Sequence, residues 1–302
     1  MIVITGDPTI DTALEQPLAE LRKKRWSYLA AIGVCVIIVL STLGPAIALG
    51  RYTPVFLVPA LGAGAIAVKL IAKFRKDVSQ TVLPHVVGAL GFSYRPCAGR
   101  VQALIDSGLL PDRAIERAED WVTGEAGGRS LETVEVEITT EGKNKKRLFN
   151  GMVVSLANQT RKDWLLMGLE EDTTPGFFSG PRLGLKNLHE VHRVRSPAGN
   201  EYLVFMADPE RRLESELEGY LSALAELDGL DGCRLYSVVR TYDVIHVALS
   251  MPRDLYSIGG LFFTNESLQR DIRFALTELT IPLKVAERLL AAETEKSGSN
   301  TA

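Results

Sequence analysis

The only closely spaced histidines in the chain, His189 and His192, flank a carboxylate in His189-Glu190-Val191-His192. A zinc hydrolase helix needs its imidazoles at i and i+4, with two residues after the glutamate that serves as base; here a single residue intervenes. His85 and His246 are far away in sequence, so the segment reads as a strand or loop with a solvated or hydrogen-bonded pair, and no metal is assigned. Cys97 could be a nucleophile only beside a base that makes its thiolate, and no neighbouring residue supplies one. It reads as a small core residue. Glu119 and Asp120 place two carboxylates side by side, which serves acid–base chemistry only if the fold converges them on a substrate; capping or ion pairing is the simpler role.

Two glycine-bearing pieces suggest nucleotides and fail on context. Gly62-Ala63-Gly64-Ala65-Ile66-Ala67 matches a loose dinucleotide fingerprint but lies inside an apolar run, without the preceding strand that a Rossmann turn requires. Gly124-Glu125-Ala126-Gly127-Gly128 lacks the Lys and Ser/Thr of a phosphate loop, and reads as a turn into a strand. No cofactor is expected. The remaining candidates are contact surfaces. Lys143, Lys145, Lys146 and Arg147 form a basic cluster at a turn, read as a solvated hairpin tip with anionic lipid headgroups as the alternative. Nucleic acid is not expected of a cluster so short and without interleaved aromatics. Around Tyr256, Leu261 and Phe262 an apolar, glycine-bearing stretch either folds over the core edge or exposes a patch for a partner.

These residues are carried by a chain of 302 with 46% hydrophobic and 24% charged residues, which excludes a wholly disordered polymer. Lys+Arg 34 against Asp+Glu 37 gives a net charge of -3, unlike a protein that coats nucleic acid. Cys35, Cys97 and Cys233 are too widely spaced for a disulfide framework and point to a reducing compartment.

The apolar residues are concentrated early. Tyr28 to Leu49 runs uncharged for about 22 residues, enough to span a bilayer, and Tyr52 to Val68 supplies about 17 more, extended by Leu70 and Ile71 if Lys69 snorkels. A helical hairpin over 28–72 follows, after an N-terminal segment 1–27 too acidic for a signal peptide. Arg22, Lys23, Lys24 and Arg25 precede it, Lys69, Lys73, Arg75 and Lys76 follow, and only Arg51 lies between; the positive-inside rule places both termini in the cytoplasm. Trp26, Tyr28 and Tyr52 stand at the span ends, as an aromatic belt would. Ala60 and Gly64 form a small-xxx-small pair for helix packing, within the hairpin or against a second protein. Pro45 and Pro59 are expected to bend the spans, and the absence of ionisable residues mid-span argues against a channel or proton path.

Beyond Phe74 to Asp77 the composition becomes that of a soluble domain, assigned to 77–292, with a disordered tail at 293–302. Residues Asp77 to Asp106 read as helix broken at Gly91. Alternation predicts strands at 134–138, 147–156, 164–169 and 201–206, and a hairpin of 234–240 with 244–250. Thr173 to Pro181 reads as a loop. A helix from Asp208 to Gly229 carries Leu213, Leu217, Tyr220, Leu221, Leu224 and Leu227, and a final helix over 268–290 is expected to kink or divide at Pro282. This order lacks βα alternation, so the fold class is α+β with a largely antiparallel sheet behind a transmembrane hairpin.

Gly91-Phe92-Ser93-Tyr94, Ser107-Gly108-Leu109-Leu110, Glu119-Asp120-Trp121-Val122-Thr123-Gly124, Phe149-Asn150-Gly151-Met152, Glu201-Tyr202-Leu203 and Gly260-Leu261-Phe262 occur in that order. In these pieces, over about Leu21 to Leu290, the chain resembles the bacterial domain-of-unknown-function family 3137. The resemblance implies a membrane-anchored bacterial protein with an N-terminal helical pair and a cytoplasmic domain; it implies no activity and no catalytic residues. The expectation from sequence is therefore a binding or scaffold domain tethered to the bacterial inner membrane, in contact with the lipid bilayer and another membrane or cytoplasmic protein. The alternatives are a membrane-bound enzyme using Glu119, Asp120 and Cys97, and a structural subunit of a membrane complex that packs through Ala60 and Gly64.

Overall fold

The computed structural model describes residues 8–48, 54–96, 101–111, 114–140, 146–158, 164–169, 189–206, 221–252, 255–256, 258–259 and 264–298. Its elements form two compact units, one of residues 1–90 with 256–276 and one of 91–255 with 277–302. The fold is α+β, with two long apolar N-terminal helices, a nine-stranded antiparallel sheet and a C-terminal helix.

In the first unit, α1 (Pro8–Ala48) and α2 (Pro54–Ala89) are long and apolar enough to cross a membrane. At 1.5 Å per residue, α1's 41 residues extend for about 60 Å, twice a hydrocarbon core. The two halves of this length are packed differently. Ile10, Leu14, Leu18 and Leu21 of α1 and Phe74, Val78, Val82 and Val86 of α2 are buried, and the unit's last segment adds buried Ile258, Leu268 and Ile272. That segment is fitted closely: the Ile258 N–H donates to Ser79 Oγ, and a Cβ on Gly259 would lie 2.9 Å from Val78 Cγ1. Among the described side chains from Val34 to Ile71, by contrast, most of the large aliphatic ones are exposed, with Ile37, Leu40, Val58 and Leu61 between 66% and 72% exposed.

The helices are registered at the junction of these halves. The Tyr28 hydroxyl donates to Asp77 Oδ2 at 2.8 Å, and the Tyr28 and Phe74 rings meet edge to face at 5.1 Å. From that level to the far end of each helix is about 30 Å, the thickness of a bilayer's hydrocarbon core. Arg22, Lys23, Lys24, Lys73, Arg75 and Lys76 are all exposed beside this junction. Within the apolar half, Cys35, Ala60 and Ala63 are buried and Gly64 is partly covered. Pro59 and Pro84 lie inside a continuous α2, each removing one hydrogen bond without ending the helix.

In the second unit β1 (Ser93–Arg95), β2 (Ala114–Ala126), β3 (Arg129–Thr139), β4 (Arg147–Ala157), β5 (Leu165–Leu169), β6 (His189–Arg195), β7 (Glu201–Met206), β8 (Arg234–Arg240) and β9 (Val244–Ser250) form one sheet. The order is β1-β2-β3-β4-β9-β8-β5-β7-β6. β9 joins the two halves by pairing with β4 and β8. The β4 pairing depends on Gly151, where a Cβ would lie 1.9 Å from the Leu249 carbonyl oxygen. Gly127 and Gly128, with φ 57 and 74, form the two-residue turn between β2 and β3, the double positive-φ geometry that suits the twist of a hairpin. The sheet edges are a three-residue strand and the charged β6, which discourages pairing with another chain.

Strand alternation gives the sheet two apolar faces. Val134, Val136, Val153, Val239 and Ala248 pack with Leu104 and Ile105 of α3 (Val101–Asp106) and with Leu109. On the other face, Leu131 and Val122 meet Leu279 and Pro282 of α4 (Asn265–Gly298), whose residues from 277 onward belong to this unit.

Several details depart from the sequence reading. The break expected at Gly91 is present, with α2 ending at Ala89, Gly91 at φ 82 and a second helical piece in α3, but the short strand β1 lies between the two pieces where none was expected. α4 runs unbroken through Pro282, which is buried against the sheet, so packing offsets the lost hydrogen bond. It extends to Gly298, and Arg129 Nη1 pairs with Glu293 Oε2 at 2.6 Å in a nearly buried contact. The composition changes at 74–77, whereas packing divides the chain between Leu90 and Gly91. Of the helix expected from Asp208, 221–225 is helical with Leu221 and Leu224 buried; Leu213, Leu217, Tyr220 and the Thr173 to Pro181 loop lie outside the described residues.

Candidate functional site

Three polar residues stand in one row across the sheet. Glu132 of β3 is registered with Ser155 of β4, and Ser155 with His246 of β9. Registered residues of an antiparallel pair point to the same face about 5 Å apart, so the row is continuous although 91 residues separate Ser155 from His246. It continues as Val239 and Leu166, both fully buried. One face thus grades from an exposed carboxylate to the hydrophobic core over five strands.

A cavity of about 340 Å³ opens over the polar end of this row. It is lined by Val101 and Leu104 of α3, by Val134 and Val244, and by Trp121 of β2. The volume is at the lower end of the range for small-molecule pockets. Trp121 lies in a β-bulge between Glu119 and Val122. The bulge is held open by Asp120, a non-glycine residue at φ 53, whose carboxylate accepts from the Tyr94 hydroxyl at 2.5 Å. Burial and the Asp120 charge push the Tyr94 pKa up, so Tyr94 remains a protonated donor.

Ser155 Oγ and His246 Nδ1 lie 2.8 Å apart. Burial lowers the His246 pKa to about 4, so the ring is neutral near pH 7. A hydroxyl hydrogen-bonded to a neutral imidazole is the start of a nucleophile–base pair, but acyl transfer also needs a group that orients the imidazole through its other nitrogen. Glu132 stands on the far side of Ser155 in the row, and His246 has no hydrogen bond besides that to Ser155 among the described residues. The arrangement suits binding better than acyl transfer: a graded wall with hydrogen-bonding groups at one end and aliphatic side chains opposite.

The residues suggested by sequence are distributed differently. Glu119 pairs with Arg117, while Asp120 is bound by Tyr94, so the adjacent carboxylates serve separate partners. His189 and His192 lie on edge strand β6, where Arg193 pairs with Glu190 at 2.8 Å. Among the described residues, no group of three His, Cys, Asp or Glu side chains could hold a metal. Arg147 is paired with Glu137 at 2.7 Å, and the Lys146 N–H donates to Thr140 Oγ1. Tyr256 is only 2% exposed, which withdraws its ring from the contact surface considered from sequence: it folds into the core of the first unit. Cys97, Lys143, Lys145, Leu261 and Phe262 lie outside the described residues.

Sequence reasoning passed over Ser155 and His246. Each is a single polar residue inside an otherwise apolar strand run, Met152 to Ala157 and Val244 to Leu249, and two such interruptions brought level by strand pairing were the available signal.

No family model and no curated protein matches the chain. Among solved structures, the mycobacterial trehalose monomycolate transport factor A, TtfA, is 10% identical, with a TM-score of 0.34 over 66% of this chain and 92% of that one. A likeness at that TM-score carries no weight for fold or function.

Proposed function

We propose that this is a binding protein tethered to the bacterial inner membrane, with both helices crossing the bilayer and the sheet domain held at its cytoplasmic face. The observation that carries this reading is the change in packing along α1 and α2. Their aliphatic side chains are buried below the Tyr28–Asp77 contact and exposed above it. An exposed aliphatic surface about 30 Å long costs far too much in water and matches a hydrocarbon core. The exposed basic residues of both helices gather beside the boundary, where anionic headgroups would meet them, and the positive-inside rule puts that side in the cytoplasm. Tethering raises the domain's local concentration for a partner at the membrane, and the graded cavity supports binding as the domain's role.

Topology and partner capture test the two halves. Fusing a reporter active only in the cytoplasm to either terminus should give signal, and inserting it at Arg51 should give none; signal at Arg51 overturns the orientation. Proximity labelling from the sheet domain, with and without the helical pair, should recover the same specific partner in both forms; an empty result from each, with the protein intact, overturns the protein-binding role.

A further inference from the structure

We infer that the cavity between α3 and the β3-β4-β9 face takes a small amphiphile whose head donates a hydrogen bond and carries no negative charge. This deepens the binding half of the proposed function and rests on it; membrane tethering is independent. Three observations specify the ligand. The first is size: about 340 Å³ is roughly twice the volume of a cavity that holds benzene, room for a medium-length alkyl chain or a fused ring pair. The second is the division of the wall. Val101, Leu104, Val134 and Val244 offer aliphatic contact, while Glu132, Ser155 and His246 stand together in one cross-strand row. A ligand with one polar end meets both parts: Ser155 and His246 already bond each other, so its head pairs with Glu132, to which a wholly apolar ligand offers nothing, and a sugar-like one wastes the aliphatic wall.

The third is charge. No Lys or Arg lines the cavity among the described residues, whereas Glu132 does, at the exposed end of the row. A carboxylate accepts hydrogen bonds and cannot donate them, so the head that suits it is a hydroxyl, an amide N–H or an ammonium group. A carboxylate or phosphate head would be placed beside a like charge, with no cation lining the cavity among the described residues to offset it.

Photoreactive probes test this on the full chain in phosphatidylcholine nanodiscs. Diazirine-bearing decanol, decylamine and decanoate are each irradiated with the protein, and labelled peptides are mapped by mass spectrometry. The helical spans serve as an internal standard, since all three probes enter the lipid. Peptides from α3, β4 and β9 should be labelled by decanol or decylamine at least about tenfold more than by decanoate, relative to the spans. Glu132→Lys, at an exposed position tolerant of substitution, should reverse the order of decylamine and decanoate. Ala157→Trp should abolish cavity labelling and leave span labelling intact. If decanoate labels the cavity as well as decanol does, or if the pattern is unchanged in Glu132→Lys, the inference is wrong. Labelled spans with an unlabelled cavity refute the inference alone, whereas a labelled cavity with unlabelled α1 and α2 refutes the membrane reading alone.

Discussion

Acidification should destabilise the sheet through His246, and the effect can be isolated. The imidazole is neutral in the folded chain down to about pH 4 but titrates near its ordinary 6.5 when unfolded. Between those values the unfolded state binds the extra proton, so the His246 contribution is fully present above pH 6.5 and is lost progressively as pH falls towards 4. At 1.36 kcal/mol per pK unit, the full loss is about 3 kcal/mol, most of which is gone by pH 4.5. Other groups also titrate in this window, so the measurement is a difference. His246→Asn keeps a hydrogen-bonding atom near the Nδ1 position that meets Ser155 and removes the titration. Thermal unfolding in nanodiscs, followed by tryptophan fluorescence at pH 7.5 and 4.5, should show the native chain losing roughly 4 to 8 °C more than the variant. Equal losses would refute the assignment of a buried, neutral imidazole at the centre of the row.

Gly151→Ala should cost about 3 kcal/mol in chemical denaturation, since the added carbon meets a backbone carbonyl that cannot swing away as a side chain could; a loss below about 0.5 kcal/mol would show that β4 and β9 separate easily. In the β2–β3 turn, Gly128→Ala should destabilise by about 1 kcal/mol and Gly128→Asn by less, because φ 74 is strained for most side chains and nothing obstructs the space. Arg129→Met strands the buried carboxylate of Glu293 and should cost roughly 3 kcal/mol. The double variant with Glu293→Leu should recover most of it, and hydrogen exchange near the end of α4 should rise in the single variant only.

Elements with one uninterrupted period were legible from sequence. The uncharged runs marked the long helices, and alternation marked β3, β4 and the β8–β9 hairpin. β2 was not legible, because bulges shift its register after Ile115 and Glu119 and scatter its few apolar residues between faces. The continuity of α4 was obscured by the opposite effect: Pro282 is a local signal to stop, overridden by packing on the sheet. The cavity was hidden for a third reason. Glu132, Ser155 and His246 become neighbours only when β9 inserts beside β4, and no local spacing announces a pairing across 91 residues. The adjacency of Glu119 and Asp120, visible at once in sequence, brought no convergence in space.

The central claim is that the exposed aliphatic half of α1 and α2 lies in lipid. Nitroxide labels placed singly through Leu40→Cys and Leu61→Cys, with Cys35, Cys97 and Cys233 replaced by Ser or Ala, report this by paramagnetic relaxation in native membrane vesicles. Both labels should collide far more with oxygen, which concentrates in hydrocarbon, than with a water-soluble nickel chelate, while a label at exposed Gln102 shows the reverse. Equal access of the chelate to Leu40, Leu61 and Gln102 would place these helices in water and contradict the account.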